Sequence, residues 1–203
     1  MTEPLLLVSG LPRCGTSLMM QMLEAGGIEP FTDRVRQADD DNPKGYFEWE
    51  AIKQIGRDHR ILEPALGSGK AIKVISALLP KLPKAHHYKV IYMERDLNEV
   101  VRSQNKMIAA RGERQDSEAL AQTVDRMRAH NEEIKGWMRS ARHLDFITVS
   151  HRQLIRKTAK QLPRIIEFVG EELLPKHEAM PNSIELGLYR NRNHSRWRDR
   201  LGF

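Results

Sequence analysis

The feature that most constrains this chain is the switch in pattern at residue 9. Leu5–Leu6–Leu7–Val8 is an unbroken apolar run without alternation, the signature of a short strand buried on both faces. Ser9–Gly10 ends the run. From Thr16 onward Leu18, Met19, Met22 and Leu23 recur at helical spacing until Gly26–Gly27, where a helix must stop. A strand covered on both faces and feeding directly into a helix is half of a parallel crossover unit, so the opening of the chain predicts an α/β domain.

The rest of the sequence continues the alternation. Strand-like segments are expected at Ala71–Ser76, Val90–Met93 and Phe146–Val149. Helices are expected over Glu50–Leu62, Asn98–Ala110 and Gln153–Val169, the last closed by Gly170. Leu120, Val124, Met127, Asn131, Ile134 and Met138 mark one face of a further long helix. Residues 29 to 47 are polar and rich in turn formers, Asn42–Pro43–Lys44–Gly45 reads as a tight turn, and the tail from Pro175 reads as irregular and basic. The expected architecture is three-layered, with a mostly parallel central sheet and P-loop-like nucleotide-binding topology, in one domain over residues 1–203. In such sheets ligands bind at the carboxyl ends of the strands.

The loop after the first strand, Gly10–Leu–Pro–Arg13–Cys14–Gly15–Thr16–Ser17, has the composition of an anion cradle. Its glycines permit close backbone approach, and the amides from Cys14 to Leu18 gather at a helix N-terminus where the dipole favours negative charge. Thr16 and Ser17 add hydroxyl donors and Arg13 adds a fixed cation. The spacing matches G-x-x-x-x-G-K-[ST], but Thr16 replaces the lysine that serves the β and γ phosphates of a nucleoside triphosphate. The bland alternative is a glycine-rich turn with no ligand.

Gly10–Leu–Pro–Arg–Cys–Gly–Thr–Ser–Leu18 resembles the 5′-phosphosulfate loop of the sulfotransferase superfamily, often P-[KR]-S-G-T-[TS]. A second stretch, Tyr92 to Ser103, resembles the strand-to-helix element in which that superfamily clamps a 3′-phosphate, with Arg95 and Ser103 eight residues apart. The resemblance implies 3′-phosphoadenosine 5′-phosphosulfate (PAPS) as sulfuryl donor and 3′-phosphoadenosine 5′-phosphate (PAP) as product. It implies donor contacts from Arg13, Cys14, Gly15, Thr16, Ser17, Leu18, Arg95 and Ser103. His151 aligns with an aromatic residue that contacts adenine, and Arg196 with a basic residue of a closing loop over the 3′-phosphate. Lys73 resembles a lysine that contacts the sulfuryl group, although strand-end lysines are commonly just solvated. Ile75 stands where many members carry a basic histidine. Other branches of the superfamily use a glutamate from the region after the first helix. The resemblance therefore implies Glu48 as general base, then Glu50, then His59, with Arg13, Glu48 and Lys73 as the catalytic set; a solvated or capping glutamate is the bland alternative. Cys14 departs from the usual serine. Beside Arg13 at a helix start its pKa is expected to fall, although a buried, inert thiol is the commoner fate.

Composition narrows the partners. A net charge of +6 favours anionic ligands, and no basic run is long enough for a nucleic-acid tail. Aromatic residues at 6% argue against single-strand binding by stacking. One cysteine, no signal-like leader before Leu5 and no apolar stretch of about 18 residues give a soluble, cytoplasmic expectation with no membrane span. No metal-ligand spacing is present, so none is expected. The acceptor is expected to be a hydroxyl on a small molecule, glycan or lipid. Two further readings stay open: a protein that binds PAPS or PAP without transfer, and a nucleotide kinase-like phosphotransferase.

Overall fold

The computed structural model describes residues 3–33, 35, 45–109 and 117–185. Four strands form one wholly parallel sheet: β1 (Leu5–Gly10), β2 (Ala71–Ile75), β3 (Tyr88–Glu94) and β4 (Leu144–Ser150), in spatial order β2-β1-β3-β4. β1 is central, with Gly10 registered against Ile75 on one side and Met93 on the other.

The side-chain alternation of β1 explains its uninterrupted apolar run. Leu5 and Leu7 face one core with Ile72, Val74, Val90, Ile134 and Met138. Leu6 and Val8 face the other with Met19, Met22, Leu23, Ile165 and Val169. A period of two distributes consecutive residues to opposite faces, so both must be apolar. Helices α1 (Thr16–Gly26) and α5 (Thr158–Val169) cover the second face, and α3 (Ser117–Ser140) covers the first. The expected three-layer α/β arrangement is thus found. α2 (Leu97–Ala109) follows β3, and the short α4 (His151–Arg156) follows β4.

Three expectations need correction. The helix expected over 50–62 is instead two 3-10 segments, Glu50–Gln54 and His59–Ala65. Gly56 lies between them, Pro64 interrupts the second, and the Asp58 side chain accepts the Arg60 amide to start it afresh. The helix expected from Gln153 begins earlier, at His151, and breaks at Lys157, whose φ of −136° is not helical. The described part of the tail after Pro175, residues 176–185, is not irregular. Its 3-10 turn at His177–Ser183 docks beneath α1, where Lys176 N donates to Gly26 O at 2.9 Å and Met180 is buried. Apolar anchoring there overrides the irregular local sequence.

Candidate functional site

The site starts where β1 runs out. Gly10 has φ 145°, and a Cβ there would sit 2.5 Å from both Met93 O and Cys14 Sγ. Only glycine fits. The chain then turns through Arg13, which adopts φ 70°, a left-handed conformation that carries a strain cost for a non-glycine residue. Arg95 holds it there, its Nη1 donating to Arg13 O at 3.3 Å. The first intrahelical bond of α1 runs from Met19 N to Gly15 O at 3.2 Å, so the amides of Thr16, Ser17 and Leu18 precede the helical ladder. The loop therefore presents a helix N-terminus at the carboxyl edge of the sheet, as an anion site requires.

Two distant segments meet at Arg13. Its Nε donates to Ser103 Oγ at 2.9 Å, across ninety positions of sequence. Arg95 Nε donates to Glu99 Oε2 at 3.0 Å, one helical turn away, and Glu99 is only 1% exposed. Arg95 and Ser103 are thereby brought beside the loop, as the order of the chain suggested. Glu99 was not anticipated. Its signal was the i, i+4 spacing from Arg95 across the start of α2.

On the other side of the loop, Lys73 projects from β2 with its side chain 10% exposed. Its Nζ donates to Ser17 Oγ at 3.2 Å and to Tyr46 O at 2.7 Å, and Glu48 Oε1 lies 3.8 Å away. Lys73 is thus not a solvated strand-end lysine. It joins the glycine loop to the segment carrying Glu48. The neighbouring Phe47 has φ 53°, and with Arg13 it makes up the non-glycine residues of positive φ among those described. Arg13 sits at the bonds to Ser103 and Arg95, Phe47 between Tyr46 and Glu48 on either side of the Lys73 contacts, and such conformations concentrate at functional sites. The other base candidates lie apart. Glu50 is engaged on the surface by Lys53 Nζ at 2.6 Å, and His59 is exposed at the start of a 3-10 turn. Ile75 is 43% exposed beside Gly10.

Two side chains lie buried under the loop, and the fall in pKa expected for one of them does not occur. Cys14 is 1% exposed, and burial pushes its thiol up to about 12, against the opposing amides of Thr16 and Cys14 and the cations Lys73 and Arg95. The expected fall does not occur because the sulfur points inward against Gly10, and desolvation outweighs the helix start. His151 is 7% exposed, and burial, with Arg95 adding to it, lowers its pKa to about 3. Its ring lies against Gly15 under the loop. Arg196 lies outside the described residues.

A cavity of about 450 Å³ opens on the α3 side of Arg95, lined by Glu94, Asp96, Asn98, Asn131, Lys135 and Ser150 among others. Lys135 bridges Glu94 and Glu132 there, at 3.0 and 2.8 Å. Among the described residues no cluster of His, Cys, Asp or Glu could hold a metal ion, and no helix is long and apolar enough to cross a membrane.

A family model described as the sulfotransferase family matches residues 46–175. The chain belongs to the sulfotransferase family. The matched segment contains Glu48, Lys73, Arg95, Ser103 and His151, while the loop at residues 10–17 precedes it. The glycine loop is thus an observation independent of the family match, and the fold joins the two in one site. No curated protein matches this sulfotransferase-family sequence.

Proposed function

We propose that the protein transfers a sulfuryl group from PAPS to a hydroxyl acceptor. The observation that carries this reading is the double bridging of the phosphate loop. Lys73 joins it to Glu48, and Arg13 joins it to Ser103 beside Arg95. The donor set suits the ligand: three cations (Arg13, Lys73, Arg95), three hydroxyls (Thr16, Ser17, Ser103) and a helix N-terminus are arranged for a polyanion rather than for a metal–triphosphate. Asp96, the aspartate that follows β3, caps α2 by accepting the amides of Asn98 and Glu99. A kinase would need such a group on Mg²⁺.

PAPS supplies an activated sulfuryl group on its 5′-phosphate. Arg95 and Ser103 hold the 3′-phosphate, and the amides from Gly15 to Leu18 with the Thr16 and Ser17 hydroxyls hold the 5′ end; the Cys14 amide is already engaged by Leu11 O at 3.2 Å. Glu48 takes the proton from the acceptor hydroxyl as its oxygen bonds to sulfur. The bond from sulfur to the bridging phosphate oxygen breaks, and its electron pair leaves with PAP. Arg13 and Lys73 stand where that negative charge grows, which is where fixed cations lower the barrier. No covalent enzyme intermediate is required.

Ile75 favours a second reading, since an apolar residue occupies the β2 position beside the reacting centre where a base could stand. In that reading the protein binds PAPS or PAP without transfer. PAP release from PAPS, measured with phenol, primary alcohol and monosaccharide acceptors, separates the two. Acceptor-dependent release that Glu48→Gln abolishes supports transfer. Tight PAPS binding with no release for any acceptor supports the binding protein.

A further inference from the structure

The resemblance-based role of His151 was contact with adenine, but its surroundings point elsewhere. β4 pairs with β3 through Glu94 and Ser150, so His151 emerges at the level of Arg95. Ser150 then caps α4, accepting the Gln153 amide at 3.4 Å, and Leu154 anchors the helix in the core shared with α1. This places the imidazole under the phosphate loop. A Cβ built on Gly15 would lie 2.3 Å from His151 Cδ2, 3.2 Å from Cγ and 3.3 Å from Nε2. Ring and backbone are therefore in direct contact, and Gly15, at φ 100°, is the residue on which α1 begins.

We propose that His151 is a positioning residue for the phosphate loop: its ring is the floor against which Gly15 rests, and it thereby fixes the amides that receive the 5′-phosphosulfate. This rests on the PAPS reading and assigns His151 to the 5′ end of the nucleotide rather than to the base. Three features fit the role. The ring is a flat, rigid body with few rotamers, filling the space a Gly15 side chain would take. It is anchored on α4, which is capped independently of the loop. Burial keeps the imidazole uncharged near neutral pH, so it adds no cation of its own to the anion site.

The test compares two ligands, PAP and adenosine 3′-monophosphate, which share base, ribose and 3′-phosphate but differ in the 5′-phosphate. In calorimetry His151→Ala is expected to weaken PAP by about tenfold or more, as loss of loop positioning would. It should leave adenosine 3′-monophosphate within about twofold, because that ligand does not use the loop amides. His151→Phe, which restores a flat ring, should recover most of the PAP affinity. Gly15→Ala should reproduce the selective loss. Equal weakening of both ligands by His151→Ala would return the residue to the adenine and overturn the inference while leaving PAPS as donor. If wild type fails to bind PAP, the donor reading falls and this inference with it. Should His151→Ala not fold by thermal melting, His151→Phe and Gly15→Ala decide. A Phe variant that loses both ligands alike, or a Gly15→Ala variant that keeps full PAP affinity, contradicts the proposal.

Discussion

The two sides of the site are built by different means. On the donor side, backbone and core leave no slack: Gly10 is packed against Met93 O and Cys14, Gly15 against His151, and Arg13 O is held by Arg95. On the acceptor side, the Tyr46–Glu48 segment hangs from β2 and the strand-end region by side-chain bonds. Lys73 reaches Tyr46 O, and Thr32 Oγ1 donates to Glu48 O at 2.7 Å. Beyond it come 3-10 turns rather than a continuous helix. The donor side is thus preorganised before any ligand arrives. The Tyr46–Glu48 side is organised around one lysine, Lys73, whose bonds would have to be shared with an incoming sulfuryl group in the proposed reaction.

The largest expected effect tests the acceptor side. Glu48→Gln keeps size and hydrogen-bonding capacity but removes the proposed base, and should lower kcat by about 10²–10⁴ with PAP affinity unchanged. If kcat holds, Glu48 only tethers Lys73 and another group takes the proton.

The next strikes the junction at Arg95. Arg95→Ala removes the proposed 3′-phosphate clamp, frees Arg13 O and leaves the Glu99 carboxylate buried without its arginine. PAP affinity should fall by about a hundredfold, and stability by about 1–3 kcal/mol on denaturant titration. Arg95→Ala with Glu99→Ala should recover stability but not binding. Recovery of both would mean that the arginine is structural only.

A pH titration sharpens the donor-side picture. His151 has a folded-state pKa lowered to about 3 from 6.5, so in the folded protein it resists a proton that the unfolded chain accepts. Its stabilising contribution is complete above about pH 6.5 and is lost as pH falls toward 3. The slope is at most about 1.4 kcal/mol per pH unit. His151→Phe should lack this component, which stability curves from pH 7 to 4 would detect. Identical slopes would show that the ring is solvated.

The smallest effect concerns Cys14. With its thiol raised to about 12, it should resist alkylation at pH 8 in the folded protein and contribute no chemistry. Cys14→Ser should change kcat by less than about twofold while costing roughly 1 kcal/mol for the buried hydroxyl. Rapid alkylation with loss of PAP binding would show that the loop opens.

The same contrast explains what the sequence reveals. β1, the loop and the start of α1 were legible because their pattern is local: a two-sided apolar strand, glycines where the backbone is crowded, hydroxyls at a helix start. Arg95 and Ser103 were legible through resemblance, and the structure brings them to Arg13. The 3-10 turns after Glu50 were not, because apolar spacing at Ile52, Ile55 and Leu62 suits a helix as well as turns over a core. The burial of Cys14 depends on which way one side chain turns beneath the loop. The seat of His151 under Gly15 depends on the β3–β4 register. Neither orientation is encoded within a short window.

The most direct test of the central claim is calorimetric binding of PAP to wild type and to Arg95→Ala, with ADP as control in the presence and absence of Mg²⁺. Micromolar binding of PAP that requires both the 3′-phosphate and Arg95 is the predicted result. No binding of PAP, or equal binding of ADP with Mg²⁺, would contradict a PAPS site built from this loop and clamp.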